Sequence, residues 1–281
     1  MEKFSAKVFI CSLFAALILL SSPARSQEVE DESEFNYDEN SDRGPSHWGD
    51  IKPEWRTCKT GKMQSPIDLN DRKVQVAKLG PLNLNYNPSN NAILKNKGHE
   101  IQLDIHEPTS SLQVNGTSYI LVNLHWHIPS EHTINRQRFD LELHLVHQTP
   151  ITNQIAVIGI LYKIGTRSDP VLLSLRERLG ALNGSSAGAS VSVPVFDPRV
   201  VDITGNDTKL YYRYMGSLTT PPCTEGVIWT VLKQIRSVKE EQIVSLQNAV
   251  NDGPGGNARP IQPTNDRIVQ FNKYPPYFSL N

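Results

Sequence analysis

Long apolar runs are missing from almost the whole of this chain. The exception, residues 8–20, follows two lysines and is too short to cross a bilayer comfortably, since a membrane helix needs about 20 apolar residues. Residues 24–26, Ala-Arg-Ser, form a small-x-small cleavage pattern. We therefore predict that residues 1–26 are a removed signal peptide and that the protein enters the secretory pathway. An extracellular location is expected, with a plastid reached through the secretory route as the alternative.

A charge excess of either sign is also missing. Without residues 1–26 the chain carries 25 Lys and Arg against 28 Asp and Glu, a net charge of −3, which is not the basic footprint of a nucleic-acid-binding protein. Acidic residues are concentrated only in residues 27–42, where apolar side chains are few. Residues 27–45 are therefore predicted to form a mobile N-terminal arm, and residues 46–281 a single domain without a membrane anchor. The sequence does not indicate the oligomeric state.

Cysteine is scarce as well. Cys11 falls in the predicted signal peptide, which leaves Cys58 and Cys223. An even pair of cysteines in a secreted chain indicates one disulfide. Two separate buried thiols are the alternative.

Short apolar segments separated by turn signals predict a mainly β domain without internal repeats. The predicted strands are residues 82–86, 92–94, 101–105, 112–114, 155–162, 210–214 and 227–232. One predicted helix opens at Asp169-Pro170 and is stopped by Gly180. A second is expected to open at the capping-box sequence of residues 237–240 and to end near Val250.

The residues that best indicate chemistry are three histidines on two predicted strands. Residues two apart in a strand point to the same face, so His125 and His127 project together. In the next strand His144 shares a face with Glu142. Residues 134–140 are long enough to turn the chain back antiparallel, which can bring the three imidazoles to one point.

Three neutral imidazoles with a fourth position for water are the ligand set of a catalytic zinc ion. Nitrogen ligands suit zinc, and a site without thiolate leaves the metal more Lewis acidic. The alternative is that each histidine is an ordinary structural residue of a half-buried strand. The third histidine and the neighbouring carboxylates favour the zinc site.

Three motifs resemble those of the α-class carbonic anhydrases, and the secreted plant-type members most closely. They are H-W-H-I-P-S-E-H-T, E-L-H-L-V-H and G-S-L-T-T-P-P-C-T-E, and the similarity runs from about Trp48 to about Pro263. The resemblance implies a large, twisted, mostly antiparallel sheet with a few short peripheral helices. It also implies zinc-dependent, reversible hydration of carbon dioxide to bicarbonate and a proton. In similar secreted proteins the positions of Cys58 and Cys223 are bridged.

The same resemblance implies catalytic roles for three residues besides the zinc ligands. Thr219 is expected to orient the attacking hydroxide while Glu131 holds Thr219, although both residues also suit ordinary turns and loops. His99 matches the position of the proton relay. Similar proteins often have Trp-Gly-Tyr where this chain has Trp48-Gly49-Asp50, so a tyrosine that helps to order the relay water is expected to be missing.

Two further groups of residues follow from the resemblance. Asn123, Glu142 and Asn257 are expected to accept hydrogen bonds from the zinc-binding imidazoles. The walls of the substrate site are expected to include Val146, Val157, Leu218, Thr220 and Trp229.

Asn123 departs from the family pattern, because similar proteins commonly have Gln two residues before the first zinc ligand. Asn is shorter by one methylene, so its oxygen is expected to fall roughly an ångström short of His125 unless the backbone shifts. On that basis Asn123→Gln would tighten zinc binding or raise catalytic efficiency.

Asn115, Asn183 and Asn206 each begin a glycosylation sequon, and at least one is expected to be occupied. The leading hypothesis is a zinc lyase. The alternative is a secreted storage or interaction glycoprotein that keeps the carbonic anhydrase scaffold with little hydratase activity. The retained histidines and Thr219 favour the enzyme.

Overall fold

A computed structural model describes Val29, residues 32–250 and residues 255–273 of the chain. The predicted signal peptide lies outside the described residues. No helix among the described residues is both long enough and apolar enough to cross a membrane.

Strands dominate the described part of the chain. They are β1 (Asp68–Leu69), β2 (Gln75–Ala77), β3 (Asn83–Asn85), β4 (Ala92–Asn96), β5 (Ile101–Ile105), β6 (Ser111–Val114), β7 (Thr117–His127), β8 (Thr133–Ile134), β9 (Leu141–Gln148), β10 (Ile155–Ile164), β11 (Ser190–Val193), β12 (Leu210–Ser217), β13 (Glu225–Leu232), β14 (Arg236–Val238) and β15 (Gln270–Lys273). Every strand predicted from the sequence is present, with boundaries that shift by a few residues.

One large sheet organises the molecule. Its central order is β11-β4-β5-β7-β9-β10-β13-β12-β15-β2, with β6, β3 and β14 attached at the side. Most neighbours pair antiparallel, but β10 pairs parallel with β13 and β14, and β15 pairs parallel with β2. The prediction of a large, mostly antiparallel sheet is confirmed.

The helices are short and lie outside the sheet. They are α1 (Trp48–Ile51), α2 (Thr57–Thr60), α3 (Pro170–Ser174), α4 (Arg176–Leu182) and α5 (Glu240–Val250), with 3-10 turns at Glu32–Glu34, Pro53–Trp55 and Pro198–Val201.

The first predicted helix begins where expected but does not stop at Gly180. The Asp169 side chain accepts a hydrogen bond from the Leu172 amide at 2.8 Å, as an N-terminal cap should. The helix breaks at Leu175 and then continues to Leu182. A Cβ on Gly180 would meet no atom within 4 Å, so this glycine is an exposed helical residue and not a terminator.

The predicted capping box of the second helix is wrong. Ser237 belongs to β14, and its hydroxyl donates to the carbonyl of Arg167 at 3.1 Å. The helix begins only at Glu240. The side-chain oxygen of Gln242 accepts the Lys239 amide at 3.3 Å, which is the reciprocal half of a capping box placed two residues later.

Residues 32–45 were predicted to belong to a mobile arm, but the structure packs this segment against the domain. Phe35 is completely buried, and its ring packs edge-on against Trp48 and Trp55 at centroid distances of 5.0 and 6.0 Å. The same apolar cluster contains the cysteine pair. The acidic composition hid this packing because only a few residues, chiefly Phe35 and Tyr37, anchor the segment.

Residues that alternate along the strands build a separate core on each face of the sheet. One core contains Trp126, Leu143 and the buried side of α5. The other contains Val146, Val157, Leu218 and Trp229. Because successive strand residues point to opposite faces, the three histidines share the second face.

Cys58 and Cys223 form a disulfide, as predicted. The bond joins α2 to the turn after β12 across a sequence separation of 165 residues. Because the closed loop is long, the bond removes much of the conformational entropy of the unfolded chain.

The double change Cys58→Ser and Cys223→Ser is expected to destabilise the fold by up to about 5 kcal/mol and to lower Tm by roughly 10 °C. Thermal unfolding measures the shift, and peptide maps made with and without reductant test the link. The reduced and alkylated wild-type chain is the control and should lose the same stability. An unchanged Tm, or two freely alkylated thiols in the native protein, would contradict the expectation.

Candidate metal centre

Three buried imidazoles meet where β7 and β9 pair. His125 lies directly opposite His144, and His127 lies opposite Glu142 in the antiparallel register. The three side chains are at most 1% exposed, and their ring centroids are 4.6–5.2 Å apart. One nitrogen from each ring lies within 4.8 Å of the other two. The structure therefore brings the predicted ligands together in a geometry that suits a metal ion.

The second nitrogen of each ring is held by a hydrogen-bond acceptor. His125 Nδ1 donates to Asn123 Oδ1 at 3.1 Å, and His127 Nδ1 donates to the carbonyl of Asn257 at 2.8 Å. His144 Nε2 donates to the carboxylate of Glu142 at 2.9 Å. The three predicted acceptors are thus all in contact with the imidazoles.

These contacts fix which nitrogen of each ring faces the shared centre. His125 Nε2 and His144 Nδ1 approach to 3.1 Å. His127 Nε2 is buried and has no hydrogen-bond partner among the described residues. Such a set of inward lone pairs is what a metal ion with nitrogen ligands requires.

Burial favours the neutral form of two of the imidazoles, His125 and His144. Desolvation lowers the pKa of His125 well below its ordinary value, and neighbouring histidines lower it further. Desolvation also lowers the pKa of His144, although the Glu142 carboxylate opposes that effect. A histidine must be unprotonated to bind a metal, so both shifts favour a ligand at neutral pH.

The carboxylate of Glu142 is the centre of a buried network. One oxygen accepts the backbone amides of Glu131 and His132 at 2.8 and 2.7 Å. The other accepts His132 Nδ1–H at 2.7 Å in addition to His144. Burial raises the pKa of Glu142, but favourable electrostatic interactions and hydrogen bonds with His132 and His144 outweigh that effect and hold the pKa well below its usual value.

His132 and Tyr214 also belong to this network, although no role was predicted for either residue from the sequence. His132 Nε2 lies 2.7 Å from the Tyr214 hydroxyl, which in turn lies 2.8 Å from the hydroxyl of Ser65. Both ring nitrogens of His132 are therefore engaged in hydrogen bonds, so it is a supporting residue and not a metal ligand. The sequence feature that could have indicated a role for His132 was its position inside the H-W-H-I-P-S-E-H-T motif.

The predicted gap between the side-chain oxygen of Asn123 and the imidazole of His125 is absent. The β7–β9 register shifts between Leu121, which faces His147, and Asn123, which faces Val146. This bulge inserts an extra residue on β7 and moves the backbone that carries Asn123. The side-chain oxygen of Asn123 lies 3.1 Å from His125 Nδ1, so the shorter side chain reaches the imidazole directly.

Glu131, Thr219 and Thr220 are all buried. Glu131 Oε1 accepts the Arg259 amide at 3.0 Å, while Oε2 lies 3.5 Å from His127 Nε2. Neither Glu131 Oε2 nor Thr220 Oγ1 has a hydrogen-bond partner among the described residues. No hydrogen bond between Thr219 and Glu131 is found in that part of the chain. Unpartnered buried oxygens are characteristic of a site that receives a polar ligand.

The predicted apolar wall comes together beside the imidazoles. Val157 pairs with Val146 on one side and with Trp229 on the other. Leu218 belongs to the same buried cluster. The ring centroid of Trp229 is 4.8 Å from that of His144, so the wall begins at the metal ligands.

His99 lies in the turn between β4 and β5 and is half-buried. Its side chain contacts the N-terminal segment, with Nε2 2.7 Å from the carbonyl of Phe35. Asp50 does not stand in for the missing tyrosine, because its carboxylate forms an exposed ion pair with Lys59 at 2.7 Å.

Comparisons with known proteins point in the same direction. Residues 43–273 match the family model described as eukaryotic-type carbonic anhydrase. Alpha carbonic anhydrase 7 from Arabidopsis thaliana is 48% identical over 268 residues, which cover 94% of this chain and 95% of that protein.

Solved structures resemble the chain along most of its length. A dioscorin complexed with ascorbate matches with a TM-score of 0.80 and 41% identity, covering 86% of this chain and 100% of the other. The α-carbonic anhydrase from Thermovibrio ammonificans, in complex with the inhibitor sulfanilamide, matches with a TM-score of 0.74 and 34% identity. That match covers 84% of this chain and 98% of the other.

Asn123→Gln is expected to weaken zinc binding, because the added methylene pushes the amide against an imidazole that the Asn oxygen already reaches. The zinc dissociation constant should rise about 10-fold, as is typical when the partner of a ligand is disturbed. Competitive titration with a chelator measures it. Asn83→Gln, on the exposed strand β3, is the matched control. Equal or tighter binding by Asn123→Gln would show that the bulge leaves room for the longer side chain.

Proposed function

The chain belongs to the eukaryotic-type carbonic anhydrase family, and from that premise we propose that it binds zinc and reversibly hydrates carbon dioxide to bicarbonate and a proton. The observation that carries the proposal is the convergence of three imidazole nitrogens within 4.8 Å of one another. Each ring is held by an acceptor on its other nitrogen. A purely structural histidine cluster needs no such common orientation.

His125, His127 and His144 would hold the zinc ion. When bound, zinc supplies a Lewis acid that makes water a competent nucleophile near neutral pH. The chain's own contribution is to bury the three imidazoles and to orient them. Glu142 orients His144, Asn123 orients His125, and the Asn257 carbonyl orients His127.

Thr219 and Glu131 are proposed to orient the nucleophile. The Oε2 atom of Glu131 is buried without a hydrogen-bond partner among the described residues, so it can accept the hydroxyl of Thr219. Thr219 Oγ1 then keeps its lone pairs for the attacking group. The Arg259 amide holds the other oxygen of Glu131 in place.

Val146, Val157, Leu218 and Trp229 are proposed to form the wall that receives carbon dioxide, with Thr220 at its border. Carbon dioxide is apolar and offers no strong hydrogen-bonding group, so an apolar wall beside the reaction centre suits it. These side chains are at most 6% exposed.

His99 is proposed to relay the proton that hydration releases. An imidazole with a pKa near 6.5 can accept and pass on a proton at neutral pH. Its position at the turn between β4 and β5, one strand from His125, supports the role. Asp50, turned towards Lys59, takes no part in the relay.

The alternative is a secreted storage or interaction glycoprotein on the same scaffold. The chain is 41% identical to a dioscorin whose structure was solved with ascorbate, and this similarity supports the alternative. Asn115, Asn183 and Asn206 are all exposed, which supports glycosylation in the secretory pathway under either hypothesis. Rapid measurement of carbon dioxide hydration with a pH indicator, together with zinc analysis, separates the two. One zinc per chain with rapid hydration supports the enzyme, and a metal-free, inactive wild type overturns it.

His144→Ala is expected to lose zinc and hydration activity together, because two remaining imidazoles cannot supply the ligand geometry. Zinc content and initial hydration rates on the same preparation measure both. The exposed residue His106 provides a matched control, since His106→Ala should change neither quantity. Full activity of His144→Ala without bound metal would refute the mechanism.

Thr219→Ala is expected to lower kcat/KM about 100-fold while zinc stays bound, because it disturbs orientation and not coordination. Thr219→Ser, which keeps the hydroxyl, should restore most of the activity. Stopped-flow hydration and zinc analysis of the three proteins make the comparison. Wild-type activity in Thr219→Ala would assign Glu131 and Thr219 to the fold alone.

A further inference from the structure

The imidazole of His99 is held by the N-terminal segment Glu32–Tyr37. His99 Nε2 lies 2.7 Å from the carbonyl of Phe35, and a carbonyl can only accept, so Nε2 carries the hydrogen. The ring also packs against the rings of Phe35 and Tyr37, at centroid distances of 5.3 and 5.5 Å. The segment thus fixes both the tautomer and the orientation of the ring.

Glu32 ties this segment to the turn that carries His99. Its carboxylate accepts the backbone amide of His99 at 3.2 Å and lies 3.8 Å from Lys97 Nζ. Its own backbone amide donates to the carbonyl of Lys97 at 3.1 Å. Glu32 is 1% exposed and Lys97 is 3% exposed, so water does not screen the ionic contact as it does for a surface pair.

Lys97 and Gln102 connect the Glu32 contacts to the strand that carries His125. Lys97 Nζ donates to Gln102 Oε1 at 3.3 Å, and Gln102 pairs with His125 across β5 and β7. Val29, which precedes the segment in the chain, donates its amide to the carbonyl of Pro221 at 3.4 Å, two residues after Thr219.

We propose that the segment Glu32–Tyr37 restrains His99 and thereby limits proton release, with Glu32 as the positioning residue. This inference rests on the proposed function. A relay must accept a proton on one nitrogen and release one to solvent from the other. While Nε2–H is bound to Phe35 and the ring packs against two aromatic side chains, rotation of the imidazole is restrained. The attack on carbon dioxide does not involve these contacts.

The proposal is tested on the zinc-loaded enzyme with Glu32→Ala, which removes both side-chain links. In dilute buffer, where proton release limits turnover, kcat should rise about threefold, the effect of losing one hydrogen bond of typical net strength. The value of kcat/KM should not change. Glu34→Ala is the matched control, because Glu34 lies on the same segment but pairs with Lys52, and it should behave as wild type.

Imidazole NMR gives a second readout that needs no catalysis. Wild type should show a slowly exchanging Nε2–H signal for His99, assigned by its absence in His99→Asn, and Glu32→Ala should lose that signal. If Glu32→Ala fails to fold, Glu32→Gln, which removes only the charge, should give the same changes to a smaller extent. An unchanged or lower kcat, or a His99 signal that persists in the Glu32 variants, overturns the proposal. Absence of zinc and hydration in wild type would instead overturn the proposed function, and the NMR test would still stand.

Discussion

The buried carboxylate of Glu142 is the group on which the rest of the site depends. It accepts four hydrogen bonds, two from backbone amides and two from imidazoles. It thereby turns Nδ1 of His144 towards the metal centre and fixes the loop that carries Glu131. Because its pKa is held well below the ordinary value, the ionised form stabilises the fold at neutral pH. That contribution is lost only as the pH falls through the lowered pKa.

Strand periodicity explains how much of the site could be predicted. The alternation around His125, His127 and His144 gives the shared face directly, and the antiparallel pairing of β7 with β9 follows from the short connection. The bulge near Asn123 could not be predicted, because residues 119–122 are all apolar and do not show where the alternation changes face. Only the strand register shows the one-residue shift there.

Amino-acid composition predicted the structure of the N-terminal segment less well than strand periodicity predicted the metal centre. The acidic character of residues 27–45 indicates a mobile arm, but composition averages over a segment, whereas burial depends on partners elsewhere. Phe35 finds Trp48 and Trp55 and becomes completely buried. His132 and Tyr214 were missed for a related reason, since the contact that gives them a role spans 82 residues of sequence.

The residues proposed for attack on carbon dioxide and the residue proposed for proton release are therefore held in place by different parts of the structure. The imidazoles of the metal centre are carried by central strands and are held by side chains of the same strands and by one buried loop carbonyl, so they can move only if the sheet is disturbed. His99 is held from outside the sheet, by a short segment that joins the body through the aromatic ring of Phe35 and the carboxylate of Glu32. Local opening costs less free energy in such peripheral segments than in a buried sheet. Under the proposed mechanism, changes in the N-terminal segment would therefore alter proton release while leaving the geometry of the nucleophile intact, and the two steps would be under separate structural control.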